Sequence, residues 1–230
     1  MIIKGLQKLT LLDFPGRVAC TLFTAGCNFR CPFCHNASLV LKERDRAGEA
    51  IDTEEFFRFL ESRRGMLTGV CISGGEPTLM PDLVPFAERI NSLGYAIKLD
   101  TNGYRPEVLE DIVGRGLIDY VAMDIKSSRE GYARLTGIDV DISKIERSAA
   151  FLMSGKVPFE FRTTVVGDMH TVEDFHSIGR WLSGEEKYFL QDFRDSGDVI
   201  CDGLYGYDKK DLLYLLNVLK AYIPNAELRG

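Results

Sequence analysis

The chain has 230 residues, a formal net charge of −6 and a hydrophobic fraction of 45%. That length suits one domain with small extensions, and the apolar fraction can fill a sizeable core. No apolar run approaches the ~18 residues that span a bilayer, and the acidic balance argues against a nucleic-acid partner, which would want a basic face.

Taken in chain order, strands alternate with helices. Met1-Ile2-Ile3-Lys4 leads into a polar, mixed segment without the pattern of a secretory signal. Residues 18–23, Val-Ala-Cys-Thr-Leu-Phe, read as a strand, and a loop carrying three cysteines follows. The charged stretch 42–49 reads as a solvated loop. Asp52 is placed to cap a helix, with Glu55 three residues on as a capping-box partner; Phe56, Phe57 and Leu60 mark that helix's apolar face. Residues 70–73 form a short buried-type strand ending in Gly74-Gly75. Residues 82–93 have helical spacing and stop at Gly94. Residues 95–99 read as a strand closed by Asp100-Thr101-Asn102-Gly103, and a helix from about Pro106 precedes a strand at 120–126. Then come a helix at 143–153, a strand at 159–166, a helix at 171–182 and a strand at 188–191. A last helix covers 211–222, whose Leu212, Leu215, Leu216 and Leu219 read as core packing.

Six strand–helix repeats imply a parallel sheet. They are too few to close an eight-fold barrel, so the predicted fold is α/β, a partial (β/α)6 barrel: an open parallel sheet with outer helices. The predicted organisation is a single domain over 1–230, with an N-terminal extension at 1–17, the barrel core at 18–193 and a C-terminal loop and helix at 194–230.

Three of the six cysteines are Cys27, Cys31 and Cys34, separated by three and two residues. Thiolates this close on one loop can hold three corners of a cubic iron–sulfur cluster. No fourth cysteine follows nearby, so one iron is left open to a substrate. A structural zinc site would need a fourth Cys/His ligand, for which only His35 is local. A disulfide framework would need an oxidising compartment, whereas a reduced cytoplasm suits the whole cysteine usage. Cys20 and Cys71 lie in apolar strands and read as small buried hydrophobes; Cys201 sits in a polar, loop-like stretch. His170 and His176 read as surface residues.

In barrel folds the reacting groups gather at the C-terminal ends of the strands. The cysteine loop, Gly74-Gly75-Glu76, Asp100-Thr101-Asn102, Asp124 with Lys126, and Gln191 all fall at such ends, with Arg162 inside the fifth strand. Gly74 and Gly75 keep backbone open to a ligand. Asp100 and Asp124 would repel each other across one cavity unless a cation or proton lay between them; ordinary solvated strand ends are the other reading. Arg162 suits either an Asp or a ligand carboxylate.

The cysteine spacing, Phe33 before the third cysteine, and Ser73-Gly74-Gly75-Glu76-Pro77 about forty residues later together resemble the radical S-adenosylmethionine (SAM) enzymes. The resemblance implies one [4Fe–4S] cluster on Cys27, Cys31 and Cys34, its open iron chelated by the SAM amino and carboxylate groups. It implies a SAM site drawn from Phe33, Gly74, Gly75, Glu76, Asn102, Lys126, Arg162 and Gln191, with Phe33 bordering the adenine. It also implies a monovalent cation at Asp100, Thr101 and Asp124, beside the SAM carboxylate.

Leu12-Asp13-Phe14-Pro15-Gly16, with Cys31-Pro32-Phe33-Cys34-His35-Asn36, looks more narrowly like the activating proteins of glycyl-radical enzymes, in particular those of the anaerobic ribonucleoside-triphosphate reductases. The implied activity is reductive cleavage of SAM to methionine and a 5′-deoxyadenosyl radical, which makes a glycyl radical on a partner reductase. Flavodoxin or ferredoxin would supply the electron. The alternatives are a small-molecule radical SAM enzyme, such as a 7-carboxy-7-deazaguanine synthase, and a non-catalytic iron–sulfur carrier.

Overall fold

Strands alternate with helices from residue 19 to residue 192 in the computed structural model, which describes residues 1–41, 49–184 and 187–229. The strands are β1 (Ile3–Thr10), β2 (Ala19–Thr24), β3 (Gly69–Gly74), β4 (Ala96–Thr101), β5 (Tyr120–Asp124), β6 (Phe159–Val165), β7 (Tyr188–Asp192) and β8 (Glu227–Arg229). The helices are α1 (Ala37–Val40), α2 (Thr53–Ser62), α3 (Leu83–Ser92), α4 (Pro106–Gly114), α5 (Tyr132–Thr136), α6 (Ile142–Met153), α7 (Val172–Trp181) and α8 (Lys209–Lys220). The strands follow chain order in one open, mostly parallel sheet, with β1 antiparallel to β2. The six predicted strands are β2 to β7. The flanking β1 and β8 were not expected: β1 mixes Lys, Gln and Gly with its apolar residues, and three of its eight positions are exposed. β8 is three residues long and has no buried position. The predicted solvated loop at 42–49 lies, apart from the exposed Glu49, outside the described residues.

The chain forms two compact units interleaved in sequence. The first comprises residues 1–28, 38–122 and 144–158; the second comprises 29–37, 123–143 and 159 onward. In the first, Leu22, Val70, Ile72, Ile97 and Leu99 are fully buried. The α2 face packs its rings on α3, with Phe57 and Phe86 centroids 5.1 Å apart. Asp52 caps α2 as expected, its side chain accepting from Glu55 N at 3.0 Å. In the second unit, β6 and β7 pair in parallel and the leucine stripe of α8 is buried. A reciprocal capping box opens α7: Thr171 Oγ1 accepts from Asp174 N, and Asp174 Oδ2 accepts from Thr171 N.

Candidate active site

Each predicted site residue stands at or near the C-terminal end of its strand, apart from Arg162, which lies mid-β6. Gly74 ends β3, Asp100 and Thr101 end β4, Asp124 ends β5, and Gln191 is the next-to-last residue of β7. Gln191 pairs with Thr164 on one side and Arg229 on the other. Lys126 lies two residues beyond β5.

In the first unit the start of the cysteine loop is stitched to the Gly-Gly-Glu segment. Gly75 N donates to Thr24 O at 2.9 Å and Glu76 N to Gly26 O at 2.8 Å. A Cβ on Gly75 would lie 1.9 Å from Gly26 O, and one on Gly74, at φ +117, 2.2 Å from Thr24 N. The two glycines were expected to open backbone to a ligand. Both are required where backbone meets backbone, just ahead of Cys27. Glu76 is likewise committed internally. It is 1% exposed, and it accepts from Thr78 Oγ1 at 2.5 Å, Thr78 N at 3.1 Å, Thr101 Oγ1 at 2.8 Å and Asn102 N at 2.7 Å. Burial pushes its carboxyl above the usual range, against these hydrogen bonds. Glu76 thus clamps the end of β3 to the end of β4.

Asp100 has partners of its own. It pairs with Lys98, which is 1% exposed, and accepts from Ser73 Oγ at 3.1 Å. Lys98 escaped the sequence reading because a lysine within a strand reads as solvent-facing. Its position two residues before Asp100, on the same face of β4, was the available signal.

In the second unit Asp124 lies between two cations. Arg162 Nε donates to Oδ1 at 2.9 Å and Lys126 Nζ to Oδ2 at 3.0 Å. Burial pushes Asp124 up, but Arg162 and Lys126 outweigh it and hold the carboxyl at about 2. The same partner raises Lys126 against its own desolvation. Asp100 and Asp124 each pair with protein cations within their own unit, and Thr101 Oγ1 donates to Glu76 Oε1 and accepts from Gly103 N.

The rest of the cysteine loop is braced within the second unit. Arg30 N donates to Thr136 O at 2.7 Å, where α5 ends at Gly137 in the left-handed conformation. Cys201 N donates to Pro32 O, Ser196 Oγ to His35 O, and Ala37 N to Asp198 O, so residues 196–201 lie along the loop. The Cys201 side chain is exposed, while Cys20 and Cys71 are buried as expected. Phe33 is 3% exposed with its ring edge-on to His170, centroids 6.4 Å apart. His170 corrects the surface reading: it is 1% exposed, accepts from Val166 N at 3.1 Å through Nδ1, and bonds Lys126 O at 2.9 Å through Nε2. Its polar neighbours in sequence hid this role as a prop beneath Lys126. His176 is half-buried, with Nδ1 3.1 Å from Tyr222 Oη.

The residues fit a thiolate-bound metal. Burial pushes the Cys31 thiol up to about 11 and raises Cys34 as well; nearby Lys126 pulls both back down. Bound iron would supply the further positive charge that thiolates need. Asn28 Nδ2 is buried with no protein acceptor, beside Cys27. Among the described residues no three His, Cys, Asp or Glu side chains form a preassembled metal cage. The three-cysteine ligand set therefore stands on spacing.

Three comparisons bear on this geometry. The sequence pattern of the radical SAM superfamily matches residues 21–182. A Methanocaldococcus jannaschii protein, provisionally named a glycyl-radical enzyme activating enzyme, is 30% identical over 99% of this chain and 95% of its own length. A Thermococcus kodakarensis protein, provisionally named a GTP 3′,8-cyclase, is 33% identical over 50% of this chain and 37% of its own. Among solved structures, Streptococcus suis SuiB superposes with a TM-score of 0.70 at 16% identity, over 91% of this chain; the chain spans about half, 48%, of SuiB. That last likeness bears on the fold alone.

Proposed function

The chain belongs to the radical SAM superfamily, and from that premise we propose that it is an activase that makes a glycyl radical on a partner enzyme. The observation that carries this is the M. jannaschii relative, whose match runs nearly end to end in both proteins. The partner suggested by residues 12–16 and 31–36 is an anaerobic ribonucleoside-triphosphate reductase, with flavodoxin or ferredoxin as the electron donor.

When bound, the cluster and SAM supply the one-electron cleavage chemistry, as cofactors generally carry the hard step. The chain's residues bind, orient and shield. Cys27, Cys31 and Cys34 hold the iron. Lys126 and Arg162, two cations on one aspartate, leave net positive charge suited to the SAM carboxylate. Phe33 offers an apolar ring to the adenine. The Gly75–Gly26 stitch holds the cysteine loop in place, and its backbone would be available to the ligand's amino group.

A second reading is a small-molecule enzyme of the GTP-cyclase kind, favoured by the 33% identity over half the chain. The match covers only 37% of that relative, which leaves most of its length without a counterpart here. Mixing the reduced protein, SAM and a candidate reductase, and recording the electron paramagnetic resonance spectrum, tests the proposal. A glycyl-radical signal on the reductase is the expected result. Cleavage of SAM driven by GTP, without that signal, would favour the second reading; no SAM cleavage under any condition would leave a cluster carrier.

A further inference from the structure

Asn102, at the end of β4, is 5% exposed, and its neighbours settle which way its amide points. Its Oδ1 accepts from Tyr104 N at 3.0 Å, so Nδ2 carries the hydrogens. Nδ2 donates to Asn28 Oδ1 at 2.8 Å and to Cys27 Sγ at 3.8 Å, within reach for a sulfur acceptor. Glu76 Oε2 accepts from the Asn102 backbone N, so the residue is held at both ends. Asn28 Oδ1, which accepts from Asn102, also lies 3.7 Å from Cys27 Sγ.

We infer that Asn102 is a redox-tuning residue, whose N–H···S hydrogen bond to Cys27 raises the reduction potential of the cluster. The inference rests on the proposed function, since it needs a cluster on Cys27. Adding an electron to a cluster puts more negative charge on its sulfurs. A fixed donor therefore stabilises the reduced form more than the oxidised form, and hydrogen bonds to the sulfurs are among the levers that set such potentials. The clamp at Glu76 matters because a donor that could swing away would give up this preference. Asn102 then serves the cysteine ligand itself, a role distinct from the SAM contact suggested by the family resemblance.

The test is an anaerobic potentiometric titration of the iron-loaded full chain without SAM, followed by electron paramagnetic resonance. Asn102→Ala is expected to keep its iron and to lower the potential by about 59 mV, a tenfold shift of a one-electron equilibrium. Asn102→Leu, of similar volume and without a donor, should shift it the same way. The reduced wild-type cluster should show coupling to an exchangeable proton that Asn102→Ala lacks. Equal potentials at equal iron content would overturn the inference. So would loss of iron from both variants, which would make Asn102 a mere prop of the loop. Wild-type protein that takes up no iron would instead locate the failure in the proposed function, and the inference would fall with it.

Discussion

Gly75 shows how one residue ties the first unit together. Its missing side chain lets Gly26 O approach to where a Cβ would sit 1.9 Å away, and both contacting atoms are backbone that cannot rotate aside. Gly75→Ala is expected to cost about 1–3 kcal/mol as an overpacked contact, and to lower iron loading because the loop ahead of Cys27 must move. A variant with wild-type melting temperature and wild-type iron content would disprove the close approach. The cysteines separate in the same assay. Replacing Cys27, Cys31 or Cys34 by Ala should abolish the cluster, whereas Cys20→Ala, Cys71→Ala and Cys201→Ala should retain its iron. Cys201 is the most informative control, because its backbone touches the loop at Pro32 while its side chain is exposed.

At the level of elements, stability should concentrate where an apolar helix face or a cap is fully used. Leu215 of α8 is 2% exposed, so Leu215→Ala should cost about 2–5 kcal/mol through lost burial and the cavity left behind. Thr171→Ala removes one arm of the α7 capping box and should cost about 1 kcal/mol. Urea midpoints measure both, and the order of the two effects is the check. Helix α5 is a different case. Five residues long, it positions the cysteine loop through the carbonyl of Thr136, and nothing in its local pattern announces that task.

For the whole molecule, charge placement sets the response to pH and salt. His170 is buried, and desolvation lowers its pKa below the ordinary 6.5 despite the hydrogen bonds it makes. The unfolded chain therefore binds the proton more readily than the folded one. Stability should hold above pH 6.5 and fall as the pH drops below it, with His35, also lowered by burial, adding in the same direction. Asp124, held at about 2 against 3.8, contributes stability that is present above 3.8 and lost only as the pH falls towards 2. His170→Gln should flatten the slope of unfolding free energy below pH 6.5. Because Asp100 and Asp124 each have protein cations, activity should also be flat across sodium, potassium and lithium at matched ionic strength; a strong preference for one ion would support the shared-cation reading.

The strand–helix alternation, the apolar faces of α2 and α8 and the cysteine spacing were legible in the residues themselves. Periodicity, capping residues and ligand spacing are local properties, so neighbours in the chain are enough to reveal them. Edge strands β1 and β8 were not legible, since a half-exposed or three-residue strand has no pattern distinct from a loop. The tertiary structure also decided what several site residues touch. Glu76 is a buried clamp, Gly75 sits at a backbone crossing, and His170 turned from surface to prop. Lys98 and Asn28 emerged beside Asp100 and Cys27. For Glu76 and Asn28 a deciding partner lies far along the chain: 25 residues separate Glu76 from Thr101, and 74 separate Asn28 from Asn102. Hydrogen bonds and close contacts at that separation depend on how the strands stack, and no local pattern encodes them.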